Sequence, residues 1–101
     1  MLDAQGGFVQ VRCYIDPDTG EPHIHHHRVS EEEVREVLGR PIEDRPGGDD
    51  SRVALGKTDS GRYIRIVYVP DPDTDSLFVV TAYDIGPSAK RALMRRMRRR
   101  R

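Results

Sequence analysis

The chain has 101 residues, 36% apolar and 34% charged, enough for one small core and too few for a dinucleotide-binding domain joined to a second substrate domain. No apolar run approaches the roughly 18 residues of a membrane span, and no leader-like segment is read at the start, so a soluble cytoplasmic protein is expected. The one cysteine, Cys13, has no partner for an internal disulfide and supports no cysteine-ligated zinc site. Formal net charge is zero, but residues 90–101 hold eight of the seventeen basic residues and no acid, which leaves the first 89 residues at −8.

In chain order, residues 8–15 alternate so that Val9, Val11, Cys13 and Ile15 share one strand face, the predicted core side. A turn-rich run over 16–22 follows. Re-extension through 23–27 predicts a hairpin, with His23, His25 and His27 pointing one way and Ile24 and His26 the other. Ser30 with Glu33 three residues later is a capping box, and Val29 with Val34 a hydrophobic staple, so a helix starts here. Val34, Val37 and Leu38 form its buried stripe, and Gly39 followed by Pro41 ends it. Residues 43–50 carry no apolar side chain and predict an exposed loop.

Three strand-like runs, 51–58, 63–70 and 76–83, are joined by segments of hairpin length and predict an antiparallel meander. Gly86-Pro87-Ser88 permits a second helix, with Ala89, Leu93 and Met97 toward the sheet and the later arginines running into solvent. The expected class is α+β, in the order ββαβββα around a small antiparallel sheet. The expected division is one domain over residues 1–94 and a basic tail over 95–101.

Pairing Thr58 with Tyr63 and Pro70 with Ser76 sets the faces. Val53, Leu55, Ile64, Ile66, Phe78, Val80 and Ala82 fall on a helix-covered core side. Arg52, Gly56, Thr58, Tyr63, Arg65, Thr81 and Tyr83 collect on the other, with Arg65 across from Thr81 and Tyr63 across from Tyr83. A cationic and aromatic patch in mid-sheet is a docking surface, unless it is simply a solvated face. Arg52, Lys57, Arg62 and Arg65 are the right chemical types to hold a phosphate.

A histidine titrating near neutral pH can move a proton at a substrate oxygen, whereas paired i, i+2 histidines alone make an incomplete zinc site. Walker, GxGxxG, HExxH and serine-triad patterns do not occur, and no cofactor is called for. Cys13, on the apolar face of its strand, reads as core rather than nucleophile. Lys90, Arg91, Arg95, Arg96, Arg98 and Arg99 favour a nucleic acid or ribosome partner, with folding back onto the acidic body as the alternative.

Three stretches together resemble the BrnT-like branch of the RelE/ParE toxin superfamily: residues 27–34 from His27 through Ser30 to Val34, residues 54–62 with Gly56-Lys57-Thr58 and Gly61-Arg62, and residues 78–83 with Thr81-Ala82-Tyr83. The likeness covers residues 23–91. It implies a RelE-like fold and a bacterial type II toxin, a metal-independent endoribonuclease that cleaves mRNA by 2′-OH attack and is neutralised by a cognate antitoxin. Carried over, its catalytic residues are Lys57, Arg62, Arg65 and Tyr83 with His27; Arg52, Tyr63 and the basic C-terminal residues are expected, from their charge and placement, to bind RNA. One group activates the ribose 2′-OH, arginine holds the phosphate, and an acid protonates the leaving 5′ oxygen. Two places depart from the branch: Tyr83 and Asp84 stand where it has arginines, and Arg28 where it has glycine. A non-catalytic nucleic-acid or ribosome-binding module of the same fold is the alternative, and an acidic body that recognises a basic protein is a third reading.

Overall fold

In a computed structural model that describes residues 10–100, two nine-residue strands, β4 (Tyr63–Asp71) and β5 (Ser76–Asp84), pair as an antiparallel hairpin. β3 (Arg52–Lys57) adds to β4, and β2 (Glu43–Pro46) adds to β3, both antiparallel. β1 (Val11–Cys13) lies parallel to β5, giving the sheet order β1-β5-β4-β3-β2. A 3₁₀ helix (His23–His27) and α1 (Glu31–Gly39) separate β1 from β2, and α2 (Pro87–Arg99) closes the chain. The class is α+β, as the sequence predicts. The sheet is mixed rather than wholly antiparallel because β1, outside the meander, returns alongside β5. Phe8 and Val9, read as the start of the first strand, and Arg101 lie outside the described residues.

The helix start is built as its residues dictate. Glu33 N–H donates to Ser30 Oγ at 3.1 Å and Ser30 N–H donates to Glu33 Oε1 at 3.1 Å, a complete capping box, with three glutamates facing the positive end of the helix dipole. Val34 and Val37 are fully buried against Ile24, Val29 and the sheet residues Ala54, Ile64, Ile66, Tyr68, Val79 and Ala82, with Leu38 packed at the margin.

The predicted register of β3 is off by one residue. Lys57, not Thr58, pairs with Tyr63, because the turn closes through Thr58 N–H to Arg62 O (2.8 Å) and Gly61 N–H to Thr58 O (2.9 Å), with Gly61 at φ 101°. Ala54 and Gly56 therefore face α1, and Val53, Leu55 and Lys57 face the opposite side. The sizes explain the choice: a Cβ on Gly56 would sit 2.8 Å from Val37 Cγ1, so the helix rests where the strand has least bulk. In β5 the register shifts opposite Val67 and Tyr68, which turns Val79 into the core, leaves Val80 37% exposed and moves Phe78 to the other face.

Two further expectations are corrected. Residues 43–46 form an edge strand whose charged side chains and Pro46 need no apolar alternation. The histidine run is a 3₁₀ helix rather than a strand, so Ile24 alone is buried while His25, His26 and His27 stay exposed. The hairpin survives only as the Ile15–Pro22 bridge, and Ile15 is 50% exposed. α2 covers the second face with Leu93 fully buried and Ala89 and Met97 half-buried, the predicted stripe.

Gly56→Ala is expected to destabilise the fold by about 1–3 kcal/mol through overpacking. Adding Val37→Ala should recover part of that loss, a coupling that a double-mutant cycle in urea measures.

Candidate functional site

Cross-strand pairing places Glu43, Leu55, Arg65 and Tyr83 in one row on the face beneath α2. Arg65 is thus directly opposite Tyr83 rather than Thr81, and both are half-buried. The Arg65 Nε atom is buried with no hydrogen-bond partner among the described residues. β1 follows β5 only as far as Val79, and the 3₁₀ helix packs along the rest of that edge. His27 reaches round it, its ring centroid 5.8 Å from that of Tyr83. An imidazole, a phenol and a guanidinium therefore stand side by side at the exposed end of β5. These are the group types for moving a proton and holding an anionic phosphate. His27 also lies 5.3 Å from the His23 ring and 5.5 Å from the His26 ring, while His23 approaches Asp16 (3.6 Å) and His25 approaches Glu21 (3.9 Å).

Arg62, expected beside these groups as a phosphate ligand, is spent on the fold. Its Nε and Nη2 donate to Asp84 at 3.2 and 2.7 Å, and its Nη1 donates to both Glu33 oxygens (2.8 and 2.9 Å) and to Arg28 O (2.8 Å). These hydrogen bonds, first those to Asp84, push its pKa further up. Arg52 is also misplaced by the predicted register. It lies on the α1 face, where its Nε donates to Asp44 Oδ1 at 2.9 Å, and Asp44 Oδ2 accepts from the Tyr68 hydroxyl at 2.5 Å. Burial first, then Asp44, pushes the Tyr68 pKa up to about 12. Lys57 pairs with Tyr63 in the neighbouring row, with Nζ 5.8 Å from the Tyr63 ring centroid; Lys90 Nζ is 4.6 Å from the same ring. Cys13 is half-buried against the core, and burial followed by the charge of Glu31 raises its pKa, which makes it a poor nucleophile.

The basic C-terminus divides in two. Arg96 donates to Glu43 through Nε (2.6 Å) and Nη2 (2.9 Å), and Arg100 donates to Glu43 at 2.8 Å and to Ile42 O at 3.3 Å. Helix α2 thus continues through the segment expected to be a free tail, and these two arginines fold back onto the body. Arg91, Arg95, Arg98 and Arg99 are exposed and, at spacings of four, three and one, form one outward stripe. Glu43 is the residue that sequence reasoning missed. It is 5% exposed, and its pKa is lowered first by the Arg96 hydrogen bond. Its neighbour Ile42, the one apolar residue in the stretch 39–52, was the available signal that the segment meets the body. Asp84, which the sequence marks only as a departure from the branch, is the carboxylate that Arg62 engages.

A family model described as a domain of unknown function (DUF4258) matches residues 23–84, about three fifths of the chain. The chain belongs to the DUF4258 family. No curated protein and no solved structure matches it. The DUF4258 segment runs from the 3₁₀ helix to the end of β5, so it contains His27, Arg65, Tyr83, Glu43 and the Arg62 tie, and it stops short of α2. In this DUF4258 protein the arginine stripe is therefore carried on an element beyond the matched segment.

Arg62→Ala leaves Glu33 and Asp84 without their cation and is expected to cost about 1–3 kcal/mol, read as a lower urea midpoint. Glu43 has a folded pKa below its ordinary 4.5, so its contribution is complete above that pH and is lost as pH falls through the folded value. Glu43→Gln should lower stability at pH 7 and flatten the decline below pH 4.5, which thermal melts across that range will show.

Proposed function

We propose that this DUF4258 protein is a type II toxin of the RelE/BrnT kind, a metal-independent endoribonuclease that acts on mRNA in the cytoplasm and is held in check by a cognate antitoxin. The observation that carries the reading is Tyr83 flanked by Arg65 across the strand pair and by the His27 ring. The resemblance of residues 23–91 supplies the chemistry, and the outward arginines of α2 supply a surface suited to a phosphate backbone.

In this mechanism His27 takes the proton from a ribose 2′-OH as that oxygen attacks the adjacent phosphorus. Arg65 stabilises the charge gathering on the non-bridging oxygens, and the Tyr83 hydroxyl gives its proton to the departing 5′ oxygen. The P–O5′ bond breaks as P–O2′ forms, leaving a 2′,3′-cyclic phosphate and a free 5′-hydroxyl. Lys57 and Arg62, the other two groups that the resemblance assigns to catalysis, stand outside this trio.

A second reading, a module that binds RNA or the ribosome without cutting, is favoured by the engagement of Arg62, which leaves Arg65 as the one guanidinium beside Tyr83 among the described residues.

Incubation with single-stranded RNA in chelator should give products ending in cyclic phosphate. His27→Ala, Arg65→Ala and Tyr83→Phe should each slow cleavage by about 10²-fold or more. Intact RNA bound in a salt-dependent manner would replace the first reading with the second.

A further inference from the structure

Next to the proposed centre is a cleft to which neither the resemblance nor the matched family gives a task. Its walls come from the turn after β1 and from the 3₁₀ helix: Asp16, Thr19, Glu21, His23, His25 and His26 enclose about 200 Å³. That is below the roughly 300–1,000 Å³ of sites for larger organic ligands and suits a single small ring system. The backbone holds the walls in place. Asp16 N–H donates to Glu21 O at 2.8 Å, Gly20 N–H to Asp16 O at 2.7 Å, and His23 N–H to Tyr14 O at 2.9 Å. The cleft and the centre share a wall, since the His27 ring lies 5.3 Å from the His23 ring and 5.5 Å from the His26 ring.

The side chains fix what the cleft accepts. The His23 and His26 rings are nearly parallel, their planes 19° apart and their centroids at 6.0 Å, and parallel imidazole faces are a stacking platform for an unpaired base. Hydrogen-bond acceptors stand beside the rings. Asp16 Oδ2 is 3.6 Å from His23 Nδ1, and Glu21 Oε1 is 3.9 Å from His25 Nδ1, both beyond hydrogen-bond distance. Asp16 Oδ1 is taken by Asp18 N–H at 2.9 Å, whereas Asp16 Oδ2 and both Glu21 oxygens accept no hydrogen bond from any described residue. Two carboxylates turn a phosphate away, and among the described residues no three metal-ligating side chains converge. What fits is a flat, uncharged group with N–H donors along its edge. Guanine meets this best, because its N1–H and N2–H donors lie side by side and span the two oxygens of one carboxylate. Adenine and cytosine set an acceptor nitrogen beside their amino group, and uracil flanks its one N–H with two carbonyls, so each brings a lone pair against the carboxylate.

We infer that this cleft is a guanine-recognition pocket, in which the base stacks on His23 and His26 and its N1–H and N2–H donate to the Glu21 carboxylate. Glu21 rather than Asp16 takes the pair of donors, because Asp16 has one oxygen already engaged by Asp18 N–H and Glu21 has both open. The pocket deepens the ribonuclease reading and rests on it. His27 draws the proton from the attacking 2′-OH, and the base carried by that same ribose is the one within reach across the shared wall. Cleavage is therefore directed to the 3′ side of guanosine, and the new end is a guanosine 2′,3′-cyclic phosphate.

The test has two arms. In the first, a single-stranded RNA of mixed sequence is cut and its product ends are mapped. Wild type should leave cyclic phosphate on guanosine about tenfold more often than on any other base, the discrimination of one bidentate contact, and Glu21→Gln should bring cleavage after guanosine down to the level of the others. In the second, guanosine and inosine, which lacks the 2-amino group, are titrated while the His23 and His26 ring protons are followed by NMR; neither probe carries a phosphate. Guanosine should shift both rings of wild type at about tenfold lower concentration than inosine, and Glu21→Gln should remove the difference. Cut ends spread over all four bases, with rings unmoved by guanosine, would overturn the pocket and leave the ribonuclease reading standing. Rings shifted by guanosine in preference to inosine, with RNA left intact, would sustain the pocket and sink that reading. Guanosine and inosine bound alike, or a guanosine preference kept by Glu21→Gln, would overturn the assignment.

Discussion

One guanidinium decides how the parts of this molecule meet. Arg62 sits in the turn between β3 and β4 and reaches three points distant from it in sequence: the end of the 3₁₀ helix at Arg28 O, the first turn of α1 at Glu33, and the end of β5 at Asp84. Glu33 already closes the capping box of α1, so the same carboxylate serves the helix start and the tie to the sheet. His27 precedes Arg28 and Tyr83 precedes Asp84, so the two candidate proton-transfer groups are each one residue away from an anchored position. Their 5.8 Å approach is a consequence of that anchoring. Arg28 itself has φ 60°, the left-handed conformation that glycine adopts without strain, and its carbonyl reaches Nη1 of Arg62 from there.

The two sides of the sheet are told apart by side-chain bulk. Ala54 and Gly56 leave room for Val37 and hence for a helix seated close to β3, while Leu55, one residue out of phase, fills the space on the other side, where Leu93 is fully buried. α2 needs more than that apolar contact to stay in place, because it is a helix with no acid and six basic residues. Glu43 provides the rest. A nearly buried carboxylate facing Arg96 and Arg100 is costly to desolvate and strongly favoured once paired, so it fixes where α2 lies as well as that it binds.

What could be read from the sequence was what local chemistry controls. The capping box, the Val34 and Val37 stripe, the β4–β5 hairpin and the inward Leu93 are each decided by residues within a few positions of one another. The register of β3 was not, since Thr58 and Lys57 compete for Tyr63, and the turn hydrogen bonds that settle the contest depend on how Gly61 is folded. The histidine run misled in the same way: alternation suits a strand, but Ile24 is buried only if the chain coils after Pro22. Within the candidate site, the placing of Arg65 and Tyr83 on one face followed from the alternation of β4 and β5. The roles of Arg62 and Glu43 depend on contacts more than twenty residues distant, for which a single sequence holds no direct signal. Charge counting had grouped all the arginines together, although burial separates them by task.

That separation bears on how an acidic body approaches a polyanion. With the first 89 residues at −8, a nucleic acid is repelled from most of the surface, and attraction is confined to the region where cations face outward. Arg96 and Arg100 neutralise Glu43 and hold the helix, so Arg91, Arg95, Arg98 and Arg99 project without an acid among them. The same helix begins beside Tyr63, on the face that carries Arg65 and Tyr83. On the proposed RNA reading, a strand drawn to the stripe would be led along α2 toward its start and the row of groups beyond it, while repulsion from the body would discourage other orientations. The net charge of zero thus conceals a directional field, in which the acids restrict where a polyanion lands and the helix sets its course.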